Sequence, residues 1–169
     1  VGSTQKLLRA DEALVVVTWL EEAGYAFLIT RERTRVVRLD RTYLQIYELS
    51  SVLLCGLDAA FQARYEADCR KGTGAEAKRD AAGNFRPETI PFNLVRAHEL
   101  YRLLLGELED EIRGKKLLIT LPPGPLSRLP LGVLVTEAPR QAVPDDASGY
   151  RDAAWLGLRQ SVTVLPSVA

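Results

Sequence analysis

Short apolar runs with strand-like composition fill the first third of the chain. Residues 13–20, 25–30 and 35–39 are rich in Val, Leu, Ile and aromatic side chains, and two short polar connections separate them. Such runs, bounded by brief polar turns, are typical of β-hairpins. The pattern therefore predicts an antiparallel β-meander at the start of a domain spanning residues 11–169, with residues 1–10 as a leader.

The middle of the chain changes to the spacing of amphipathic helices. Apolar positions recur at helical intervals from Arg41 to Lys71, with Asp40 as the expected N-cap and Gly56 as a weak point. A second helix is expected from Phe92 to Arg113, where apolar residues cover most of the circumference. Such a helix is covered on more than one side. The intervening residues 71–91 are predicted to form a loop.

Two further apolar runs have the character of buried strands. Leu117–Leu121 runs into the turn Pro122-Pro123-Gly124-Pro125 and then a short apolar helix. Val162–Leu165 is followed by Pro166-Ser167, and residues 136–154 between the runs are expected to form a loop. Strands that are apolar on both faces are typical of parallel sheets covered by helices. The chain is therefore predicted to have an α/β fold, in which a mostly parallel sheet is flanked by helices and preceded by the meander.

Charge and length limit the classes of partner. The chain has 169 residues, with 22 Lys plus Arg and 22 Asp plus Glu, so a single domain with a formal net charge of zero is expected. Nucleic-acid binding needs a clustered positive field, whereas the densest basic cluster, Arg31 to Arg38, alternates with the residues of a strand. No apolar run approaches the ~20 residues that span a bilayer. Neither a nucleic acid nor a membrane is expected as a partner.

The two cysteines are predicted to be unpaired. Cys55 and Cys69 lie 14 positions apart in the first predicted helix. At 1.5 Å per residue this spacing separates them by about 21 Å, which is too far for a disulfide. Cys55 is expected to behave as a small apolar residue, and Cys69 to be exposed near a helix end. Two free thiols and the lack of a recognisable targeting segment predict a cytoplasmic protein.

The residues that might suggest nucleophilic catalysis have simpler structural interpretations. His98 is the only histidine, and its position in the middle of an apolar helix favours a partly buried, hydrogen-bonded side chain over a catalytic base. Ser127 follows a glycine turn, but Pro125 removes a backbone donor near the place where an oxyanion hole would need one. Ser127 is therefore expected to cap a helix, and no catalytic residue is assigned.

Cofactor and metal sites are not predicted either. The prolines of residues 122–125 supply no N–H groups to cradle a phosphate, and Gly124 is expected to provide a positive φ in the turn. The adjacent Asp145 and Asp146 are interpreted as a solvated pair in a loop. One histidine and two cysteines are too few for a typical metal site.

A fixed series of motifs follows the β-meander and the long helix: Ala97-His98-Glu99-Leu100-Tyr101-Arg102-Leu103-Leu104-Leu105-Gly106, Gly114-Lys115-Lys116-Leu117-Leu118-Ile119, Pro122-Pro123-Gly124-Pro125-Leu126, Leu129-Pro130-Leu131 and Leu165-Pro166-Ser167. In this order, these segments resemble the front part of a CHAT domain, a caspase-like cysteine peptidase domain related to caspases and separase. The resemblance covers about residues 10–167, and its central segment is the most specific part. Pro123 stands where the family usually has Asp, and Leu131 where it often has Phe; these changes affect turn geometry and packing.

The resemblance implies an incomplete domain. In this family the catalytic histidine, in a Gly-His-Gly-type turn, and the catalytic cysteine, in a Ser-Ala-Cys-type turn, follow the strand that ends in Pro-Ser. No position here matches either motif, so residues 11–169 would be the non-catalytic N-terminal part of a cysteine endopeptidase, with the catalytic half beyond residue 169. The turn residues expected to border the substrate cleft are Pro122, Pro123, Gly124, Ser127, Pro166 and Ser167.

The implied partners are the catalytic half of the same protein, a protein substrate of the whole enzyme, and helical-repeat or other protein domains. No cofactor is implied. Two alternatives to the peptidase fragment stay open. The chain is a non-enzymatic module for protein–protein interaction or oligomerisation, or it is an unrelated α/β structural domain that only mimics the pattern.

Overall fold

The computed structural model describes residues 2–21, 23–73, 81–82 and 90–165. The strands are β1 (Glu12–Leu20), β2 (Ala23–Ile29), β3 (Thr34–Leu39), β4 (Leu117–Leu121) and β5 (Ser161–Val164). The helices are α1 (Gly2–Leu7), α2 (Tyr43–Cys55), α3 (Ala59–Arg64), α4 (Glu66–Thr73), α5 (Leu94–Leu105), α6 (Glu109–Ile112), α7 (Ala147–Arg151) and α8 (Leu156–Arg159).

The five strands form one mixed sheet in the order β3-β2-β1-β4-β5. β1, β2 and β3 pair antiparallel, whereas β4 pairs parallel with both β1 and β5. The α/β fold, the meander and the central position of β4 are thus confirmed. The prediction of a mostly parallel sheet is wrong, because the meander shares β1 with the parallel strands and makes half of the same sheet antiparallel.

The core lies on one face of this sheet. Alternate residues of β1 (Ala13, Val15 and Val17) are buried, as are Leu28 of β2 and Leu118 of β4. They form one cluster with buried side chains of the helices, among which are Leu53, Leu100, Leu104 and Ile112. Burial of apolar surface between the helices and this face provides the main stabilisation of the fold.

The first predicted helix is instead three helices, α2, α3 and α4. α2 ends at Gly56 because residues 91–92 pass close to that point: a Cβ at Gly56 would lie 2.7 Å from the Cα of Phe92. Asp58 then begins α3 by accepting hydrogen bonds from two backbone N–H groups. Tyr65 ends α3 with a non-helical backbone conformation, directly before α4 begins. The N-cap of α2 is Thr42, which forms a capping box with Gln45, and not the predicted Asp40.

These breaks bring the two cysteines together. With α4 folded back against α2, the Cα atoms of Cys55 and Cys69 are 5.6 Å apart, and the two sulfurs form a disulfide. The prediction of unpaired thiols is therefore wrong, because it assumed one straight helix between the cysteines. Cys69 is also buried instead of exposed, with 1% of its surface accessible. Because the two cysteines are paired, free thiols no longer indicate a cytoplasmic protein.

The second predicted helix is interrupted but follows the expected course. α5 is capped by Asn93, a 3-10 turn covers Gly106–Leu108, and α6 completes the segment. Within the predicted loop 136–154, Asp146 caps α7. The flanking residues Val135 and Trp155 form an isolated antiparallel bridge. α1 lies in the predicted leader. The predicted loop 71–91 overlaps the end of α4, and most of its remainder is outside the described residues.

No helix in the described part of the chain combines the length and apolar composition needed to cross a membrane.

A polar cluster attaches the segment before β5 to the helices. Arg159 of α8 donates hydrogen bonds to Glu109 (2.7 Å) and to the hydroxyl of Tyr101 (3.0 Å). The Arg159 and Glu109 side chains are 23% and 16% exposed, and Tyr101 is fully buried. Because water is largely excluded, these charge-assisted hydrogen bonds are stronger than those on the surface. The cluster holds α8, and therefore the start of β5, against α5 and α6.

Replacing Arg159 with Met should lower the free energy of unfolding by about 2 kcal/mol, because a partly buried carboxylate and a buried hydroxyl lose their donor. Urea denaturation measures this change. Arg113→Met is the matched control, because Arg113 contacts the same carboxylate at 3.1 Å but is 71% exposed. The control should cost less than about 0.5 kcal/mol. Equal losses in the two variants would contradict the anchoring role of Arg159.

Candidate functional site

The second face of the sheet is apolar and lies outside the core. Its side chains match across the strands: Leu14 is opposite Ile29 and Ile119, and Val16 is opposite Phe27 and Leu121. We call this surface the open face and define it by Leu14, Val16, Tyr25, Phe27, Ile29, Val36, Leu117, Ile119 and Leu121. In the described part of the chain, none of these residues is buried or packs against the core cluster.

The open face has the chemistry of a protein contact surface. From strand spacing and rise per residue it measures roughly 15 Å by 20 Å. Among the described residues, the charged side chains of this face lie at its margins, with Arg38 opposite Tyr25 on β3 and Glu12 opposite Leu117 at the start of β1. A continuous apolar patch bordered by polar groups is typical of a surface that another protein element covers.

The turn after β4 lies where its sequence predicts, at the carboxyl end of the parallel strands. Gly124 has a φ of +50°, which confirms its predicted role. A Cβ at this position would lie 2.5 Å from the Tyr43 hydroxyl, so the turn packs directly on the first turn of α2. Pro122 is buried and Pro123 half-buried, which leaves Gly124 and Ser127 as the exposed members of the predicted set in this turn.

Three aromatic side chains that sequence reasoning missed gather beside this turn. Trp19, near the end of β1, meets Tyr43 edge-on with 5.4 Å between ring centroids, and Tyr43 lies 6.5 Å from Tyr47. Tyr43 and Tyr47 remain 44% and 42% exposed. The spacing of four residues between the two tyrosines indicates that they share one helix face. The contact of Tyr43 with Trp19 depends on how α2 packs against the sheet. Exposed aromatic rings at the carboxyl ends of strands are suited to contact a protein chain.

Ser127 and His98 are used structurally. The Ser127 hydroxyl donates to the carbonyl oxygen of Gly124 at 2.6 Å, within the 3-10 turn Gly124–Arg128. The predicted cap is therefore wrong, because Ser127 lies at the end of a turn and not before a helix. His98 is half-buried on α5, with Nδ1 2.9 Å from the carbonyl oxygen of Val135, as its sequence position predicted. That hydrogen bond joins α5 to the segment after β4.

Asp146 of the acidic pair is engaged in hydrogen bonds within its own turn. Asp146 accepts hydrogen bonds from the hydroxyl and N–H of Ser148 and from the N–H of Gly149, and these bonds hold the pKa of its carboxyl below the ordinary value. Its role is to cap α7. Within the described residues, no group of three or more His, Cys, Asp or Glu side chains is arranged to hold a metal ion. Pro166 and Ser167, predicted to border a cleft, lie outside the described residues.

Replacing Gly124 with Ala should lower the free energy of unfolding by about 2 kcal/mol, because the positive φ costs roughly 1–2 kcal/mol for alanine and the new methyl meets Tyr43. Chemical denaturation of Gly124→Ala, Tyr43→Phe and the double variant separates the two causes. Removing the hydroxyl in the double variant should recover part of the loss, whereas the backbone cost should remain. Strict additivity would contradict the contact between the turn and α2.

Comparison with known protein families and with curated proteins finds no match for this chain. The resemblance to CHAT domains therefore rests on the sequence motifs alone.

Proposed function

We propose that this chain is the non-catalytic scaffold of a CHAT-type, caspase-like cysteine endopeptidase, and that its open face receives further layers of the same protein. The catalytic histidine and cysteine would come from the catalytic half, and the substrate of the whole enzyme would be a protein. The observation that carries the proposal is the apolar second face of the sheet, whose side chains, in the described part of the chain, lie outside the core cluster that packs on the first face.

Parallel strands support this proposal. Sheets with parallel strands are normally covered on both faces, because their crossover connections place helices there. β4 pairs parallel on both sides, and three of its residues (Leu117, Ile119 and Leu121) point to the open face. The second face of such an apolar strand is normally covered by another layer of the protein. Amphipathic helices that align with the strands would cover about this area.

The carboxyl ends of the strands indicate where the substrate cleft of the proposed enzyme would lie. β1, β4 and β5 are parallel, so their carboxyl ends meet at one edge of the sheet, beside the turn at Gly124. Ligand sites of α/β sheets lie at this edge. Tyr43 packs against the turn and Trp19 packs against Tyr43, while Leu165 after β5 remains 45% exposed. In the proposed enzyme, this edge forms one wall of the substrate cleft.

The proposal includes a cytoplasmic location and contacts with helical-repeat or other protein domains. The disulfide constrains this location. Disulfides in cytoplasmic proteins are usually transient and take part in catalysis or redox sensing. A cytoplasmic protein of this sequence would therefore carry the Cys55–Cys69 bond only under oxidising conditions.

A second candidate function is a non-enzymatic interaction or oligomerisation module. The observation in its favour is the outer surface of α2, where Tyr43, Leu44 and Tyr47 are 44%, 62% and 42% exposed. Three large apolar side chains on one helix face form a contact for a second protein or a second copy. This surface is separate from the open face, so variants distinguish the two functions.

The first experiment determines the reading frame beyond residue 169 and assays the full-length protein for peptide-bond cleavage. Gly-His-Gly and Ser-Ala-Cys turns in the continuation, with activity that a thiol alkylating reagent abolishes, are the expected result. A continuation without these turns would overturn the peptidase assignment and favour the interaction module.

The double variant Val16→Thr/Ile119→Thr tests the open face. Threonine keeps the β-branched shape, so the free energy of unfolding of the isolated chain should fall by less than about 1 kcal/mol. Binding to the separately expressed catalytic half, measured by calorimetry, should weaken about tenfold or more because buried apolar contacts are lost.

Leu44→Gln on α2 is the matched control, and it should leave this binding unchanged. Unaltered binding of the open-face variant would refute the proposed role of that face. Self-association of the chain in sedimentation velocity that Leu44→Gln abolishes would instead support the oligomerisation module.

A further inference from the structure

A groove of about 770 Å³ runs between α2, α4 and α5, and the disulfide lies in its wall. Leu49 and Val52 of α2 and Leu103 of α5 contribute apolar surface, and α4 contributes Cys69 and Lys71. The groove is separate from the open face, because α2 and α5 pack on the opposite side of the sheet. Whether α4 stays in place therefore decides how much of this apolar surface is covered.

α4 has little apolar anchorage of its own. Among residues 66–72, whose side chains the structure describes, Cys69 is the only buried one. Gly72 approaches Val52 so closely that a Cβ would lie 2.7 Å from its Cγ2, so the end of α4 rests on α2 without a side chain to hold it. An eight-residue helix is not stable by itself in water. Its attachment through Cys69 is therefore decisive.

The neighbouring α3 is anchored independently of the disulfide. Phe61 and Gln62 are buried, and the Gln62 side-chain amide donates to the carbonyl oxygen of Cys55 at 2.7 Å. The guanidinium of Arg128 lies over the Phe61 ring at 5.2 Å. Loss of the disulfide would therefore release α4 while α3 stays in place.

We propose that the Cys55–Cys69 pair is a site of thiol–disulfide exchange with a dithiol reductant and that its oxidation state controls the docking of α4. One thiolate of the reductant attacks one sulfur of the pair and forms a mixed disulfide, and the other protein sulfur leaves as a thiolate. The second thiol of the reductant then resolves the mixed disulfide. The protein gains two electrons and two protons as two thiols, and the reductant becomes a cyclic disulfide.

Both cysteines line the groove, although they are only 3% and 1% exposed. The reductant therefore reaches the bond when α4 opens transiently, and reduction makes this opening lasting. The reduced chain exposes the apolar surface of Leu49 and Val52, which the oxidised chain shields.

Hydrogen–deuterium exchange of the oxidised chain and of the chain reduced with dithiothreitol tests the proposal. Reduction should accelerate exchange of the α4 amides at least about tenfold, while amides of α5 and β1 change less than about twofold. Fluorescence of anilinonaphthalene sulfonate should rise as the groove opens, and iodoacetamide should label both cysteines.

The variant Cys55→Ala/Cys69→Ala is the control. It should show the fast α4 exchange without reductant and give no response to dithiothreitol. Unchanged α4 exchange on reduction would overturn the proposal. Equal acceleration of α4, α5 and β1 would also overturn it, since the disulfide would then be a general structural cross-link.

Discussion

The parallel ladder between β1 and β4 is the contact on which the other parts of the structure depend. Residues 12–16 pair with residues 117–121, so two strands far apart in sequence become neighbours at the centre of the sheet. A parallel pair requires a long crossover connection, and here that connection contains β2, β3 and helices α2 to α6. Because these helices share one core with Ala13, Val15 and Leu118, they occupy one face of the sheet. The ladder thus creates the packed face and, within the described residues, leaves the open face outside the core.

Local chain chemistry determines how the crossover folds on that face. The first helical stretch is divided where residues 91–92 approach Gly56, and Asp58 restarts the helix in another direction. This change of direction returns α4 to α2 and places Cys69 beside Cys55. The disulfide then compensates for the small apolar surface of α4. A backbone contact at one glycine therefore determines the geometry of a covalent bond thirteen residues further along the chain.

The open face and the groove lie on opposite sides of the sheet and have different chemistry. The open face is flat, apolar and built from strands, which suits a covering layer of helices. The groove between α2, α4 and α5 lies behind the opposite face and contains the disulfide in its wall. The turn at Gly124 and the rings of Trp19, Tyr43 and Tyr47 lie at the carboxyl edge of the sheet.

The sequence by itself determined the elements whose cause is local. Alternating apolar residues specified β1 to β3, the Pro-Gly-Pro turn required the positive φ of Gly124, and the helical surroundings of His98 indicated its structural role. Only the tertiary structure decided the mixed sheet, the disulfide, the aromatic cluster and the open face. Each of these depends on residues distant in sequence, such as Trp19 with Tyr43, Val16 with Leu121, or Gly56 with Phe92. Periodicity reports which side of an element is apolar, whereas the partner that covers that side is selected by packing of the whole chain.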